Sequence, residues 1–289
     1  MNNNRIYDTI LLITLLKLWI NEREIMSVKI EKAVTDKFEM EYFKFGEGEK
    51  KAVIISGLSV KSIMGSAESI VNAYKAMQKD YTVYVFDRRR NCPDNYTIYD
   101  MADDTAEAFD CLGIKKAYVF GVSQGGMIAQ CIAVKRPDLV CKLALCSTVP
   151  RITQENYDMI KSWIEIAERR DESALNKRIF ESIFSESFCE KFGDFALQMM
   201  SGVSEYDFNR FIILARACSG FDVYNELESI KCPVYVVGTK ADKVFDVNYS
   251  VLIAEKTKAE LYLYDDYGHA VYDEAPDFTD RLIKFFESD

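Results

Sequence analysis

Residues 117–132 read AYVFGVSQGGMIAQCI, and this stretch decides how the rest of the chain is read. Residues 117–120 form an apolar run with strand character. The run breaks into Gly121-Val122-Ser123-Gln124-Gly125-Gly126, and a helical pattern follows at once. A G-x-S-x-G match set between a strand and a helix describes a nucleophile elbow, a cramped turn that pushes the serine hydroxyl out above a sheet. Gly121 and Gly125 fit because a Cβ at either place would collide with the neighbouring element. A helix starting near Gln124 would aim free backbone N–H groups and its positive dipole end at that hydroxyl.

Working outward, the same strand and helix rhythm recurs on both sides. Residues 28–45 carry two short alternating segments, expected as an antiparallel hairpin. Residues 52–55 are an apolar strand followed by the turn Ser56-Gly57-Leu58-Ser59, and residues 62–77 have helical spacing. The run 81–86 (YTVYVF) is a further strand, ending in Asp87-Arg88-Arg89-Arg90-Asn91-Cys92. Residues 99–112 place Ala102, Ala106, Phe109 and Leu112 on one helical face. Residues 140–147 give another strand. Short apolar strands alternating with helices predict an α/β protein with a mostly parallel sheet covered on both faces.

The rhythm stops between 154 and about 217, where several amphipathic helices rich in Ile, Phe, Met and charge predict an all-helical insertion. It resumes with the strand 233–237, the turn Gly238-Thr239-Lys240-Ala241-Asp242, a helix over 247–256, the strand 260–264, the turn Asp265-Asp266-Tyr267-Gly268-His269, and a closing helix over 276–286. The expected organisation is therefore a core of residues 26–151 and 218–289, a helical cap of residues 152–217, and an N-terminal appendage of residues 1–25. That appendage contains the apolar run 10–20 with Lys17 inside it, shorter than the roughly 20 residues a membrane-spanning helix needs. Met26 opens a stretch that reads as the natural start of a domain.

Composition sets bounds. The chain has 289 residues, 49% hydrophobic and 28% charged, and a net charge of -10. The excess of acid argues against nucleic acid or an anionic membrane as partner. Eight cysteines occur without a C-x-x-C pair, and with one histidine in the chain no Cys/His metal site is expected. Free cysteines inside apolar runs fit a reducing, cytoplasmic setting. No phosphate loop or dinucleotide fingerprint is present.

Three loops, each following a predicted strand, carry Ser123, Asp242 and His269. Loops at the carboxyl ends of parallel strands gather on one edge of the sheet, where sites form. A serine needs a base to take its proton, and the base needs an acid to orient it and stabilise the imidazolium. His269 is the only histidine in the chain, so any histidine base for Ser123 is His269. Asp242 lies in the loop of the penultimate strand. Asp265 and Asp266 are rivals in sequence, but their closeness to His269 suits them to capping the turn. The loop Thr148-Val149-Pro150-Arg151 offers no acid. For the tetrahedral oxyanion, the expected donors are the backbone N–H groups of Gln124 and Leu58, with the Ser59 hydroxyl as an accessory.

From about Phe45 to its end the chain resembles the α/β-hydrolase fold superfamily, in the group of esterases, lactonases and haloperoxidase-like serine hydrolases with a helical cap. The residues that carry the resemblance are residues 121–126, residues 237–244 (VGTKADKV) and residues 268–276 (GHAVYDEAP), together with the chain order Ser, Asp, His. The resemblance implies an eight-stranded, mostly parallel sheet, a cap over the serine and no cofactor or metal. Two departures stand out. The family usually has His-Gly where this chain has Ser56-Gly57, and Asp-x-Arg-Gly-x-Gly where it has Asp87-Arg88-Arg89-Arg90-Asn91-Cys92. The three arginines are expected either to hold structural carboxylates or to meet an acidic substrate at the pocket rim.

The leading expectation is a serine hydrolase acting on a small ester, thioester or lactone through an acyl-enzyme. A C–C bond hydrolase with the same triad, or a ligand-binding protein on the same fold without turnover, are the alternatives. The expected partner is a small acyl substrate, with neither nucleic acid nor membrane; a homodimer is allowed but not required.

Overall fold

In the computed structural model, residues 28–288 are described; the expected appendage 1–25 lies outside them. Eight strands form one sheet in the order β1-β2-β4-β3-β5-β6-β7-β8. These are β1 (Ile30–Val34), β2 (Glu39–Phe45), β3 (Lys50–Ile55), β4 (Tyr81–Arg89), β5 (Ala117–Val122), β6 (Val140–Cys146), β7 (Val234–Thr239) and β8 (Glu260–Tyr264). β1 and β2 form the expected hairpin, and β2 runs antiparallel to β4. All other neighbours are parallel. β4 extends to Arg89, so Asp87 and Arg88, read from sequence as the start of a loop, still belong to the strand.

The core helices are α1 (Ala67–Ala73), α2 (Ile98–Cys111) and α3 (Gln124–Lys135). Four helices then lie between β6 and β7: α4 (Gln154–Glu168), α5 (Glu172–Ile183), α6 (Glu186–Met200) and α7 (Glu205–Arg216). α8 (Asn248–Thr257), the single-turn α9 (Val271–Glu274) and α10 (Phe278–Glu287) complete the chain. The helix read over 62–77 is broken: a 3-10 turn, Ile63–Ser66, precedes α1 and another, Lys75–Met77, follows it.

Strand periodicity divides the core. Side chains alternate across a strand, so Val53 and Ile55 join Val119, Leu143 and Val236 on one face with Phe109, Ile128 and Ile253. Ala52 and Ile54 join Phe120, Val122 and Val237 on the other, against Tyr74 and the buried stripe Phe278, Leu282, Phe285 and Phe286 of α10. That i, i+4, i+7, i+8 spacing is a helix face made to cover a sheet. All six residues of β7 are buried, as a strand covered on both faces requires. The insertion helices start on side-chain caps, Thr153, Asp171, Ser185 and Ser204, each accepting a backbone N–H of the first turn.

Candidate active site

Ser123 sits between β5 and α3 with φ 53° and ψ -121°, a strained conformation for a residue with a Cβ. The surrounding glycines make the turn possible. A Cβ on Gly121 would stand 2.6 Å from the carbonyl oxygen of Gly125, and one on Gly125 would stand 2.0 Å from that of Ile55. The carbonyl of Ser123 begins the helix, accepting the N–H groups of Gly126 at 2.9 Å and Met127 at 3.2 Å. The hydroxyl of Thr148 also donates to it, at 2.7 Å. The loop of Thr148 was unremarkable in sequence because it lacks an acid; its role is to hold the elbow.

The structure brings the three sequence candidates together. Nε2 of His269 lies 2.9 Å from Oγ of Ser123, and Nδ1 lies 2.8 Å from Oδ2 of Asp242. The other oxygen of Asp242 accepts the backbone N–H groups of Val244 at 2.7 Å and Phe245 at 2.9 Å. Those two bonds fix the carboxylate so that Oδ2 faces the imidazole. A carboxylate only accepts, so Nδ1 carries the ring proton and Nε2 presents its lone pair to the serine hydroxyl. The side chains of His269 and Asp242 are 5% and 3% exposed, which shields their hydrogen bond from water. The ring of Phe245 meets the imidazole edge to face at 5.4 Å. Ser123 itself is only half-buried. Asp265, a rival in sequence, is exposed and pairs with Lys240 at 2.6 Å instead.

Opposite the serine lies the turn after β3. A Cβ on Gly57 would stand 3.2 Å from Cβ of Ser123 and 3.8 Å from its Oγ. Leu58 follows directly. The Ser59 hydroxyl is committed within its own loop, donating to the Lys61 carbonyl at 2.8 Å. Gln124 is buried, and its side-chain amide donates to the Leu214 carbonyl on α7 at 2.7 Å.

The arginine run divides by burial. Asp87 and Arg88 are buried, Arg89 is half-buried and Arg90 is exposed. Asp87 pairs with Arg210 of α7 at 2.7 Å, with both side chains 5% exposed. It also accepts the Ser62 hydroxyl at 2.6 Å. A terminal nitrogen of Arg88 donates to the Ser56 carbonyl at 2.5 Å and to Oε1 of Gln124 at 3.4 Å. Burial, with Arg210 nearby, lowers the pKa of this guanidinium below its ordinary value, against the pull of Asp87. Arg89 pairs with Asp104 at 3.4 Å. Arg89 therefore holds a structural carboxylate, the first of the two readings open from sequence, whereas the Arg88 guanidinium binds a backbone carbonyl and an amide oxygen.

Glu274 lies within the stretch 268–276, where the sequence alone assigns it no role. It accepts the backbone N–H groups of Gly268 at 2.9 Å and Ser185 at 3.1 Å, and also the Ser185 hydroxyl. It thereby joins the histidine loop to the start of α6. The far end of that helix is tied to the opposite wall, where Lys61 donates to the Ser201 carbonyl at 2.7 Å. α6 thus runs from the His269 side of the site to the Leu58 side, and none of its residues is fully buried. Among the described residues no group of acidic, cysteine or histidine side chains could hold a metal ion, and no helix is long and apolar enough to cross a membrane.

Known proteins resemble this chain in sequence and in fold. The chain is 27% identical over 253 residues to a Rhizobium rhizogenes protein named as a carbamate hydrolase, RutD, covering 83% of this chain and 93% of that one. It is 21% identical over 218 residues to the 3-oxoadipate enol-lactonase 1 of Acinetobacter baylyi, covering 73% and 79%. Among solved structures, an α/β hydrolase from a Medee basin deep-sea metagenome library superposes with a TM-score of 0.80 at 21% identity, covering 90% of this chain and 98% of that one. The enol-lactonase of Burkholderia xenovorans gives 0.77 at 20% identity, covering 89% and 100%. Residues 64–276 match the family model for the alpha/beta hydrolase fold, and with the eight-stranded sheet and its helical insertion this places the chain in that family: it is an α/β hydrolase.

Proposed function

We propose that this α/β hydrolase is a serine hydrolase that cleaves a small ester, thioester or lactone. The observation that carries the reading is the unbroken relay from Ser123 Oγ through His269 to Asp242, with contacts of 2.9 and 2.8 Å. Oγ of Ser123 attacks the substrate carbonyl while Nε2 of His269 takes its proton. Asp242 stabilises the imidazolium and keeps the ring oriented. The negative charge that develops on the carbonyl oxygen is met by the backbone N–H groups of Gln124 and Leu58. Collapse of the tetrahedral intermediate breaks the bond to the leaving group, which receives the proton from His269. Water, deprotonated by the same histidine, then attacks the acyl-serine, and a second collapse returns the proton to Ser123 and releases the acid.

The relatives include, by name, a carbamate hydrolase and two enol-lactonases, so a carbamate belongs in the substrate panel beside esters, thioesters and lactones. A fluorophosphonate probe should label the wild-type protein and leave Ser123→Ala unlabelled, and turnover of the panel should vanish in the same variant. Labelling at another residue, or turnover that survives Ser123→Ala, would overturn the proposal.

A further inference from the structure

The two proposed oxyanion donors lie on different loops. Gln124 opens α3, where the helix fixes its N–H. Leu58 lies in a turn that begins Ser56-Gly57. Gly57 has no Cβ, so nothing intrinsic restrains the peptides on either side of it. Something outside the turn must set their orientation if the Leu58 N–H is to point where the oxyanion forms. A peptide is planar, so fixing the Ser56 carbonyl also fixes the N–H and the Cα of Gly57, the point from which the peptide carrying the Leu58 N–H departs.

The Ser56 carbonyl is fixed from two sides. On one it rests against the elbow helix, where a Cβ on Gly125 would approach its oxygen to 2.4 Å. On the other the Arg88 guanidinium donates to it at 2.5 Å. The same terminal nitrogen reaches Oε1 of Gln124 at 3.4 Å, so one buried group touches both residues that flank the hole. Arg88 is itself held in place. Its own N–H donates to Oδ1 of Asp87 at 2.7 Å, and that oxygen also binds Arg210 of α7 at 2.7 Å. The side-chain amide of Gln124 completes the circuit to α7 through the Leu214 carbonyl. The frame of the hole is thus continuous with the docking of the insertion on the core.

We propose that Arg88 is a positioning residue for the oxyanion hole: by gripping the Ser56 carbonyl and the Gln124 side chain together, it sets the spacing between the Leu58 and Gln124 N–H groups. The proposal rests on the serine hydrolase reading above. It assigns the buried guanidinium a part in transition-state stabilisation and none in binding the ground-state substrate.

The test compares wild type, Arg88→Met, Arg88→Lys and Ser123→Ala on the best ester of the panel, with a boronic acid as tetrahedral analogue and the carboxylic acid product as ground-state ligand. Losing one oxyanion donor outright costs about 10²–10³ in kcat; a misplaced donor should cost less. Arg88→Met is expected to lower kcat about 10–100-fold, to weaken the boronate by a similar factor, and to leave KM and product affinity within about threefold. Lysine keeps the charge but is one bond shorter and lacks the planar fork, so Arg88→Lys should fall in between. If the methionine variant does not fold, the lysine variant carries the test. Wild-type kcat and boronate affinity in the variant that folds, or an equal loss for boronate and product, would overturn the inference. If wild type shows no turnover that depends on Ser123, the serine hydrolase reading fails instead. If that turnover is present and Arg88 variants keep it in full, only the role of Arg88 fails.

Discussion

The carboxylate of Glu274 accepts the backbone N–H of Gly268 at 2.9 Å, so a side chain on the short helix after His269 holds the residue just before it. Gly268 itself is pressed against the insertion, where a Cβ would stand 2.6 Å from the Ile183 carbonyl oxygen. The histidine loop, Glu274 and the junction of α5 and α6 therefore form one packed unit. Glu274→Ala would leave the N–H groups of Gly268 and Ser185 without their acceptor, at a cost of about 1–3 kcal/mol in stability. It should also lower kcat by about 10-fold or more, since small displacements of a catalytic group are expensive in rate. Urea unfolding and ester kinetics on one preparation check both parts. A loss of stability with full kcat would show that the clamp does not place His269.

Asp242→Asn separates charge from shape. Asparagine can still accept the N–H groups of Val244 and Phe245 through its oxygen, so the loop should keep its form and the melting temperature should move little. The group facing Nδ1 then becomes an amide N–H₂, which favours the ring tautomer with its proton on Nε2, towards the serine. Loss of kcat by roughly 10³–10⁴-fold is expected from the general behaviour of Ser-His-Asp triads. Retention of even a tenth of wild-type kcat would argue that another acid serves His269.

Much of this arrangement was legible in the chain because it depends on local patterns. Strand, elbow and helix around Ser123 are contiguous in sequence, and the sole histidine left no choice of base. The loops of Asp242 and His269 follow strands whose apolar runs are plain. Helix bounds were less legible. The pattern over 62–77 is helical in spacing, yet Gly65 sits in a 3-10 turn and the α-helix begins only at Ala67. The supports of the site were the least legible. Arg88, Thr148 and Glu274 act through partners 32, 25 and 89 residues away in the chain, and only the closed fold brings them into contact. The sequence departures at Ser56 and at the arginine run turn out to meet each other, since Arg88 binds the carbonyl of Ser56.

Glycine substitutions should rank by the space each one faces. A Cβ on Gly125 would fall 2.0 Å from the Ile55 carbonyl oxygen, which is backbone and cannot yield, whereas one on Gly65 meets nothing within 4 Å. Gly125→Ala should therefore give insoluble protein, or unfold several kcal/mol more easily than wild type, among the largest effects single substitutions produce. Gly65→Ala should stay within about 0.5 kcal/mol. Soluble yield and thermal melts of the pair decide the matter; a well-folded Gly125→Ala protein would mean that the elbow and the Ser56 turn can move apart to admit a Cβ.

Thiol chemistry offers a second check on the nucleophile. Burial pushes the thiols of Cys131 and Cys146 up to about 12 and that of Cys218 up to about 11, whereas Cys111 is exposed. A raised pKa means less thiolate at any given pH, and thiolate is the reactive form. At pH 8 an aromatic disulfide reagent should modify Cys111 quickly and the three buried thiols only as the protein opens. All eight cysteines should react once it is unfolded. Raising the pH to 9 should leave the protected thiols protected, because 9 is still below their pKa values. Activity should survive the fast phase, since Ser123 and not a cysteine stands 2.9 Å from His269. Slow inactivation is expected with the late phase, because Cys218 accepts the Gln124 side-chain amide at 3.3 Å beside the elbow. Activity lost in step with the first thiol would make a cysteine, not Ser123, the group on which turnover depends.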